Sequence, residues 1–242
     1  WGENALRVRA SYTSIENTDW ALLSVREIKA DITVNESAAI IVNGKIRAEI
    51  KRNGQMTFYN QKGEVLLRET ENTYQLKYGG RELIPHPGSS DYRLTLRLES
   101  DPKEKLFGMG QYQQSFLNLK GCMLELTHRN SQSSVPFVMS SLGYGFLWHN
   151  PAVGRVNFNL NVTEWTAPST KQLDYWITAG DTPAVIEESY ASVTGTVPMM
   201  PDYGMGFWQC KLRYQTQEEL LEVAREYKKR KLPIAVIVID FF

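Results

Sequence analysis

Ile234 to Ile239 runs for six residues, Ile-Ala-Val-Ile-Val-Ile, without a polar interruption. A half-buried strand alternates apolar and polar residues, because successive side chains point to opposite faces. A strand apolar on both faces belongs in a sheet covered on both sides, which is ordinarily a parallel sheet flanked by helices. The residues before it supply such a helix. Thr216-Gln217-Glu218-Glu219 reads as a capping box, with Thr216 capping the Glu219 N–H and Glu219 reaching back. Leu220, Leu221, Val223, Ala224 and Tyr227 form one apolar stripe at helical spacing. Acids lead and Lys228-Lys229-Arg230-Lys231 closes, which matches the helix dipole, and Pro233 stops the helix. The basic run is therefore read as a solvated helix end. With Tyr203 to Trp208 as a short apolar strand, residues 203 to 239 spell strand, helix, strand. Two parallel strands cannot cover their own faces, and an intact (β/α)8 TIM barrel takes about 250 residues. This segment would hold about a quarter of one, so the expectation is a chain truncated inside a barrel.

The preceding part is written differently. From about residue 5 to 190, short apolar runs are broken by turn signals. Ala39 to Val42, Asn43-Gly44 and Ile46 to Ile50 predict a hairpin, because Asn-Gly tolerates the positive φ that tight turns demand. Asn53-Gly54 precedes Met56 to Tyr59, and Lys62-Gly63 precedes Val65 to Leu67. Tyr92 to Leu98 alternates with period two. The predicted fold class is mainly β: an N-terminal antiparallel β-sandwich over residues 1–196, then the first β-α-β unit of a barrel over 197–242.

Composition narrows the function. Lys plus Arg and Asp plus Glu number 27 each, for a net charge of zero. That disfavours a nucleic-acid partner and offers no polybasic membrane anchor. No apolar run approaches the ~18 residues of a membrane span. Cys122 and Cys210 sit in no metal spacing and read as reduced, and His86, His128 and His149 form no ligand pattern, so neither metal nor cofactor is implied. Asn35-Glu36-Ser37 and Asn161-Val162-Thr163 fit the glycosylation triplet, a pattern common by chance. The chain opens at Trp1 with no signal peptide. This favours the cytoplasm, with secretion open if a signal peptide was removed. Six Trp and 12 Tyr suit stacking on sugar rings, and equally suit the core of a β-rich domain.

Motifs from Leu106 onward carry a resemblance. They are Phe107-Gly108-Met109-Gly110-Gln111, Val135-Pro136-Phe137 with Ser140-Ser141 and Gly143-Tyr144-Gly145-Phe146, and Asp174-Tyr175-Trp176 running to Gly180-Asp181-Thr182-Pro183. Thr194-Gly195 to Pro201, Gly204 to Trp208 and Leu232-Pro233 to Asp240 follow in order. In this series, over residues 90 to 242, the chain resembles glycoside hydrolase family 31; residues 1 to 90 match only as a generic sandwich. The resemblance implies retaining hydrolysis of α-glycosidic bonds at a non-reducing end, with one Asp as nucleophile and another as acid/base. Their carboxyl groups need to lie about 5 Å apart across the scissile bond. In the family both lie on later barrel strands, so no catalytic residue is expected before Phe242, and the 242-residue piece alone is expected to be inactive.

Substrate-binding residues are expected within the chain. Asp240 sits at the carboxyl end of the buried strand, where barrel enzymes place their chemistry. The resemblance gives it the hydroxyls of the sugar in subsite −1, and a carboxylate can accept two hydrogen bonds from a diol. The family's α-glucosidases read Asp-Ile-Asp there, whereas this sequence reads Asp240-Phe241-Phe242. A Phe242 ring in place of the second acid would fill the space of a hydroxymethyl group and leave its hydroxyl unpaired, a cost of about 1–3 kcal/mol. Xylose lacks that group, which points to α-xylosidase, with α-glucosidase as the alternative. Asn130, in the loop Thr127 to Gln132, matches a family sandwich residue that contacts substrate. Trp208 at the end of the first barrel strand is a stacking candidate, whereas Gln111 and Arg213 read as structural. Expected partners are an α-linked oligosaccharide and the remainder of the barrel, with a homo-oligomer possible. A non-catalytic sugar-binding sandwich is the reading from another class; a stable, soluble monomer of this length would favour it, because an exposed strand such as Ile234 to Ile239 should aggregate.

Overall fold

The computed structural model describes residues 1–24, 28–71 and 79–241. The chain forms two compact units, Trp1–Gly195 and Thr196–Phe242. The first unit contains, in order, β1 (Ala5–Ala10), β2 (Asp31–Val34), β3 (Ala38–Asn43), β4 (Ile46–Lys51), β5 (Met56–Tyr59), β6 (Val65–Arg68), β7 (Arg81–Pro85) and β8 (Tyr92–Glu99). Then come β9 (Leu106–Gln111), β10 (Met123–Leu126), β11 (Ser133–Ser140), β12 (Tyr144–Trp148), β13 (Gly154–Phe158), β14 (Val162–Thr170), β15 (Leu173–Ala179) and helix α1 (Pro183–Thr194).

These strands build three five-stranded sheets, ordered β1-β15-β12-β11-β9, β10-β13-β14-β8-β7 and β2-β3-β4-β5-β6, with every pairing antiparallel. The third sheet is the meander that the turn signals predict. Asn43 pairs with Ile46 across the hairpin, and Gly44 supplies a φ of 57°. Asn43 is itself buried, and its amide donates to the carbonyls of Gly2 and Ala5, both at 2.8 Å. All three sheets feed one core, in which Phe58, Leu94, Leu96, Phe146, Trp148, Phe158, Trp165 and Tyr175 are essentially inaccessible.

A second, smaller core lies on the other face of the first sheet. Ile186 and Val193 of α1 pack with Phe137, Leu147 and Trp176, and with Leu22 from a strap that precedes β2. Thr182 caps α1, its Oγ1 accepting from Val185 N at 3.3 Å, with Pro183 in the first turn. A Cβ at Gly145 would lie 2.6 Å from Ile186 and 2.8 Å from Phe137, so the close seat of the helix requires glycine there. In the segment Phe107 to Gln111, Gly108, Met109 and Gly110 all have positive φ where the β9–β11 register shifts. A Cβ at Gly110 would sit 2.3 Å from Ser133 O. The motifs that carry the family resemblance thus include strand crossings and the helix seat of the scaffold.

Two buried charge clusters tie elements together. Glu104 accepts from Ser140 Oγ at 2.5 Å and Tyr144 Oη at 2.6 Å, and pairs with Lys120 Nζ at 2.9 Å. Burial, then Glu104, push the Tyr144 phenol well above its ordinary pKa, which keeps it a donor. Arg7 donates from Nε and Nη2 to the two oxygens of Asp174, at 3.0 and 2.7 Å. Burial works to raise the Asp174 carboxyl, but hydrogen bonds from His149 and Arg7 outweigh it and hold the group below its ordinary value.

The second unit consists of a 3-10 turn (Asp202–Met205), β16 (Trp208–Cys210), helix α2 (Gln217–Lys229) and β17 (Val236–Val238). Strands β16 and β17 pair in parallel, Trp208 with Val236 and Cys210 with Val238. The strand expected over Tyr203 to Trp208 is displaced: its first half is the 3-10 turn, and pairing begins at Trp208. Thr216 Oγ1 accepts from Glu219 N at 3.1 Å as the capping box predicts, but the Glu219 carboxylate accepts from Gln215 N, at 2.7 Å. The helix ends before Pro233: Lys231 adopts a φ of 55° and Leu232 N donates to Tyr227 O at 3.0 Å, closing the last turn.

Candidate functional site

In a parallel pair flanked by a helix, chemistry collects beyond the carboxyl ends of the strands, where the following loops begin. Here those ends carry Cys210 and Asp240. Parallel pairing brings Cys210 opposite Val238, two residues before Asp240, and Cys210 Sγ lies 4.0 Å from Asp240 Oδ2. Asp240 is exposed, so both its oxygens can accept hydroxyl donors. Phe241 is also exposed and holds a φ of 51°, uncommon for a bulky residue. Phe242 lies outside the described residues.

The β16 end is braced from α2. Tyr227 Oη donates to Gln209 Oε1, and the Tyr227 and Phe207 rings stack at 5.9 Å. Lys211, the first residue after β16, pairs with Glu219. The hydrogen bond from Lys211, then that from Gln215 N–H, hold the Glu219 carboxyl below its ordinary value.

Trp208 is corrected in place. It opens β16 rather than ending it, at the opposite end of the pair from Asp240, because the strand starts later than the apolar run suggested. Its Nε1 donates to Gly204 O at 3.2 Å. Asn130 lies in the first unit, at the exposed tip of a tight turn where Arg129 and Gln132 form a bridge and Ser131 takes a φ of 65°. Arg129 pairs with Glu125 on the neighbouring strand. Cys210, read from the sequence as reduced and structural, lies beside Asp240. Only the register of β16 against β17 reveals it as Asp240's neighbour. It is free, as is Cys122. Among the described residues no cluster of three or more His, Cys, Asp or Glu could hold a metal ion, and no helix is long and apolar enough to cross a membrane.

Comparison with known proteins gives this geometry its context. The Glycosyl hydrolase 31 N-terminal galactose mutarotase-like domain matches residues 2–157, and the Glycosyl hydrolases family 31 TIM-barrel domain matches residues 197–242. A protein of Pseudescherichia vulneris described as an uncharacterized family 31 glucosidase is 49% identical over 263 aligned positions, covering 100% of this chain and 49% of the relative. An α-xylosidase of Saccharolobus solfataricus is 31% identical over 90% of this chain and 27% of its own length. Among solved structures, an α-xylosidase from a soil metagenome, complexed with xylose, superposes with a TM-score of 0.91 at 54% identity, covering 100% of this chain and 38% of that one. The chain thus spans between about a quarter and a half of the length of these relatives.

Proposed function

This chain belongs to glycoside hydrolase family 31, and we propose that it is part of a retaining, exo-acting α-glycoside hydrolase that releases terminal α-xylose. The observation that carries the reading is Asp240, an exposed carboxylate two residues past the end of a parallel barrel strand. In this reading Asp240 accepts hydrogen bonds from adjacent hydroxyls of the sugar in subsite −1. These bonds strengthen as the ring flattens toward the transition state, so they lower the barrier rather than merely hold substrate. The nucleophile and acid/base carboxylates lie outside these 242 residues. Asn130, exposed at the tip of its turn, is proposed as a further substrate contact. Trp208 is not proposed as a stacking platform, since it sits at the amino end of its strand.

Xylose over glucose rests on Asp240-Phe241-Phe242, in which an aromatic ring takes the place of an acid that would face a hydroxymethyl group. Support comes from the 54% identity to an α-xylosidase bound to xylose and from the second α-xylosidase at 31%. The 49% identity to a relative described as a glucosidase favours α-glucosidase as the second reading. The test is kcat/KM on aryl α-xyloside and aryl α-glucoside for the full-length protein. A clear xyloside preference, relaxed by Phe242→Ala, supports the reading; a glucoside preference overturns it. Asp240→Asn should lower kcat/KM by about 10- to 100-fold, the equivalent of about 1.5–3 kcal/mol for a charged hydrogen bond.

A further inference from the structure

We infer that the sandwich carries a second, non-catalytic sugar site, in the cleft between the N-terminal strap and the β14–β15 turn, with Trp20 as its stacking wall. The cleft has a volume of about 250 Å³, and Glu16, Thr18, Trp20, Asp91, Asn150 and Lys171 are among its lining residues. Ligand pockets ordinarily begin near ~300 Å³, so this one fits a single sugar ring of a longer glycan rather than a whole oligosaccharide.

The strap is held from beneath by two buried side chains. Gln172 grips Glu16 by both backbone groups, its Oε1 accepting from Glu16 N at 2.8 Å and its Nε2 donating to Glu16 O at 3.1 Å. His149 Nε2 accepts from Trp20 N and Ala21 N, each at 3.1 Å. Buried polar groups are thus spent on fixing the backbone at residues 16, 20 and 21. The side chains above face outward: Trp20 is 64% exposed, and the Glu16 carboxylate lies near enough to Lys171 to help raise its ammonium pKa. A binding surface gains affinity when its ordering cost is met before the ligand arrives, and here the fold has already met it.

The lining chemistry selects the ligand. An indole face accepts the C–H face of a pyranose, and carboxylates accept from its hydroxyls. Asp91 is oriented by Ser169 Oγ at 2.6 Å and Lys171 Nζ at 2.5 Å, and Lys171 shares the lining with three acids, Glu16, Asp91 and Asp174. That excess of acid leaves no positive charge for a phosphate, and a cleft of about 250 Å³ that sets Trp20, Pro151 and Ala152 beside acids is too small and too acidic for a lipid. A neutral glycan fits, and the choice of glycan rests on the α-glycosidase reading above. Such a site would hold a polymer near the enzyme without taking part in bond cleavage.

The test is native affinity electrophoresis of the full-length protein in gels containing soluble xyloglucan, with kcat/KM on aryl α-xyloside measured in parallel. Trp20→Ala should weaken retention tenfold or more and Glu16→Gln severalfold, with kcat/KM within twofold of the parent. Asp240→Asn should do the reverse, losing activity but keeping retention. Unchanged retention in both strap variants, or retention lost only in Asp240→Asn, overturns the site. If Trp20→Ala disturbs folding, Glu16→Gln decides alone. If the parent is retained through Trp20 yet cleaves no xyloside, the sugar site stands and the substrate reading fails.

Discussion

Strands β15 and β17 invert what their sequences suggest. β15, Leu-Asp-Tyr-Trp-Ile-Thr-Ala, contains a carboxylate, a phenol and a hydroxyl, yet all seven of its residues are buried. β17, Val-Ile-Val, is the most apolar of segments, yet all three of its residues are only half-buried. The difference is in their neighbours. β15 has β1 and β12 on its two edges, the main core on one face and α1 on the other. Among the described residues of these 242, β17 is paired with β16, on one edge. Side-chain character marks a strand as fit for burial, and within these 242 residues only β15 has its sides covered. The polar groups of β15 are tolerated because each has a partner: Asp174 has Arg7 and His149, Tyr175 has Glu69, and Thr178 donates to Asn4 O.

Substitutions can break or sharpen this comparison. The largest effect should follow Trp176→Ala, which empties a fully buried site between the first sheet and α1 and strands Trp1 O, the acceptor of its indole N–H at 2.7 Å. The loss should be about 3–5 kcal/mol by chemical denaturation, whereas Ile237→Ala in β17, measured on these 242 residues, should cost about 1 kcal/mol. Equal losses would mean that β17 is as well covered as β15. Next, Lys120→Met leaves Glu104 buried without its cation, and the first unit should lose about 3 kcal/mol. A loss under 1 kcal/mol would show that Ser140 and Tyr144 satisfy the carboxylate unaided.

The Asp174 pair predicts a pH effect. Its folded pKa is depressed, so its contribution is present above the ordinary carboxylate value near ~4 and is lost as pH falls through the folded one. Asp174→Asn should lower stability at neutral pH and flatten the acid limb of a stability–pH curve; an unchanged limb would show that the pair is not linked to folding. The smallest effect belongs to the exposed helix of the second unit. Thr216→Ala removes the α2 cap at a cost of about 1 kcal/mol, read as a loss of helical ellipticity confined to that unit.

Local features were legible in the sequence. Asn43-Gly44 fixed a hairpin because few residues accept its turn geometry, and Thr216 to Glu219 fixed the start of a helix. The pairing of β1 with β15, which joins residues some 170 positions apart, was not legible, since no local signal specifies a distant edge. Nor was the division of the first unit into three sheets. The end of α2 was legible in the basic run Lys228 to Lys231, but its left-handed closing residue was not, because it is Lys231 rather than the glycine that would have announced it. Within the candidate site, Asp240 was legible from its place after an apolar run. Cys210 was not, because β16 starts at Trp208, where the hydropathy reading marks its end, and Cys210 lies two residues beyond.

His149 carries a consequence for proton chemistry at the strap. Its Nε2 faces two backbone N–H groups and must therefore be the unprotonated nitrogen, which leaves the ring hydrogen on Nδ1, 3.2 Å from Asp174 Oδ2. One tautomer is locked by the loop it holds. The amides of Trp20 and Ala21 belong to no ladder, yet they should exchange with solvent deuterium as slowly as those of a sheet. A hydrogen on Nε2 would confront both, so the loop and this tautomer require each other.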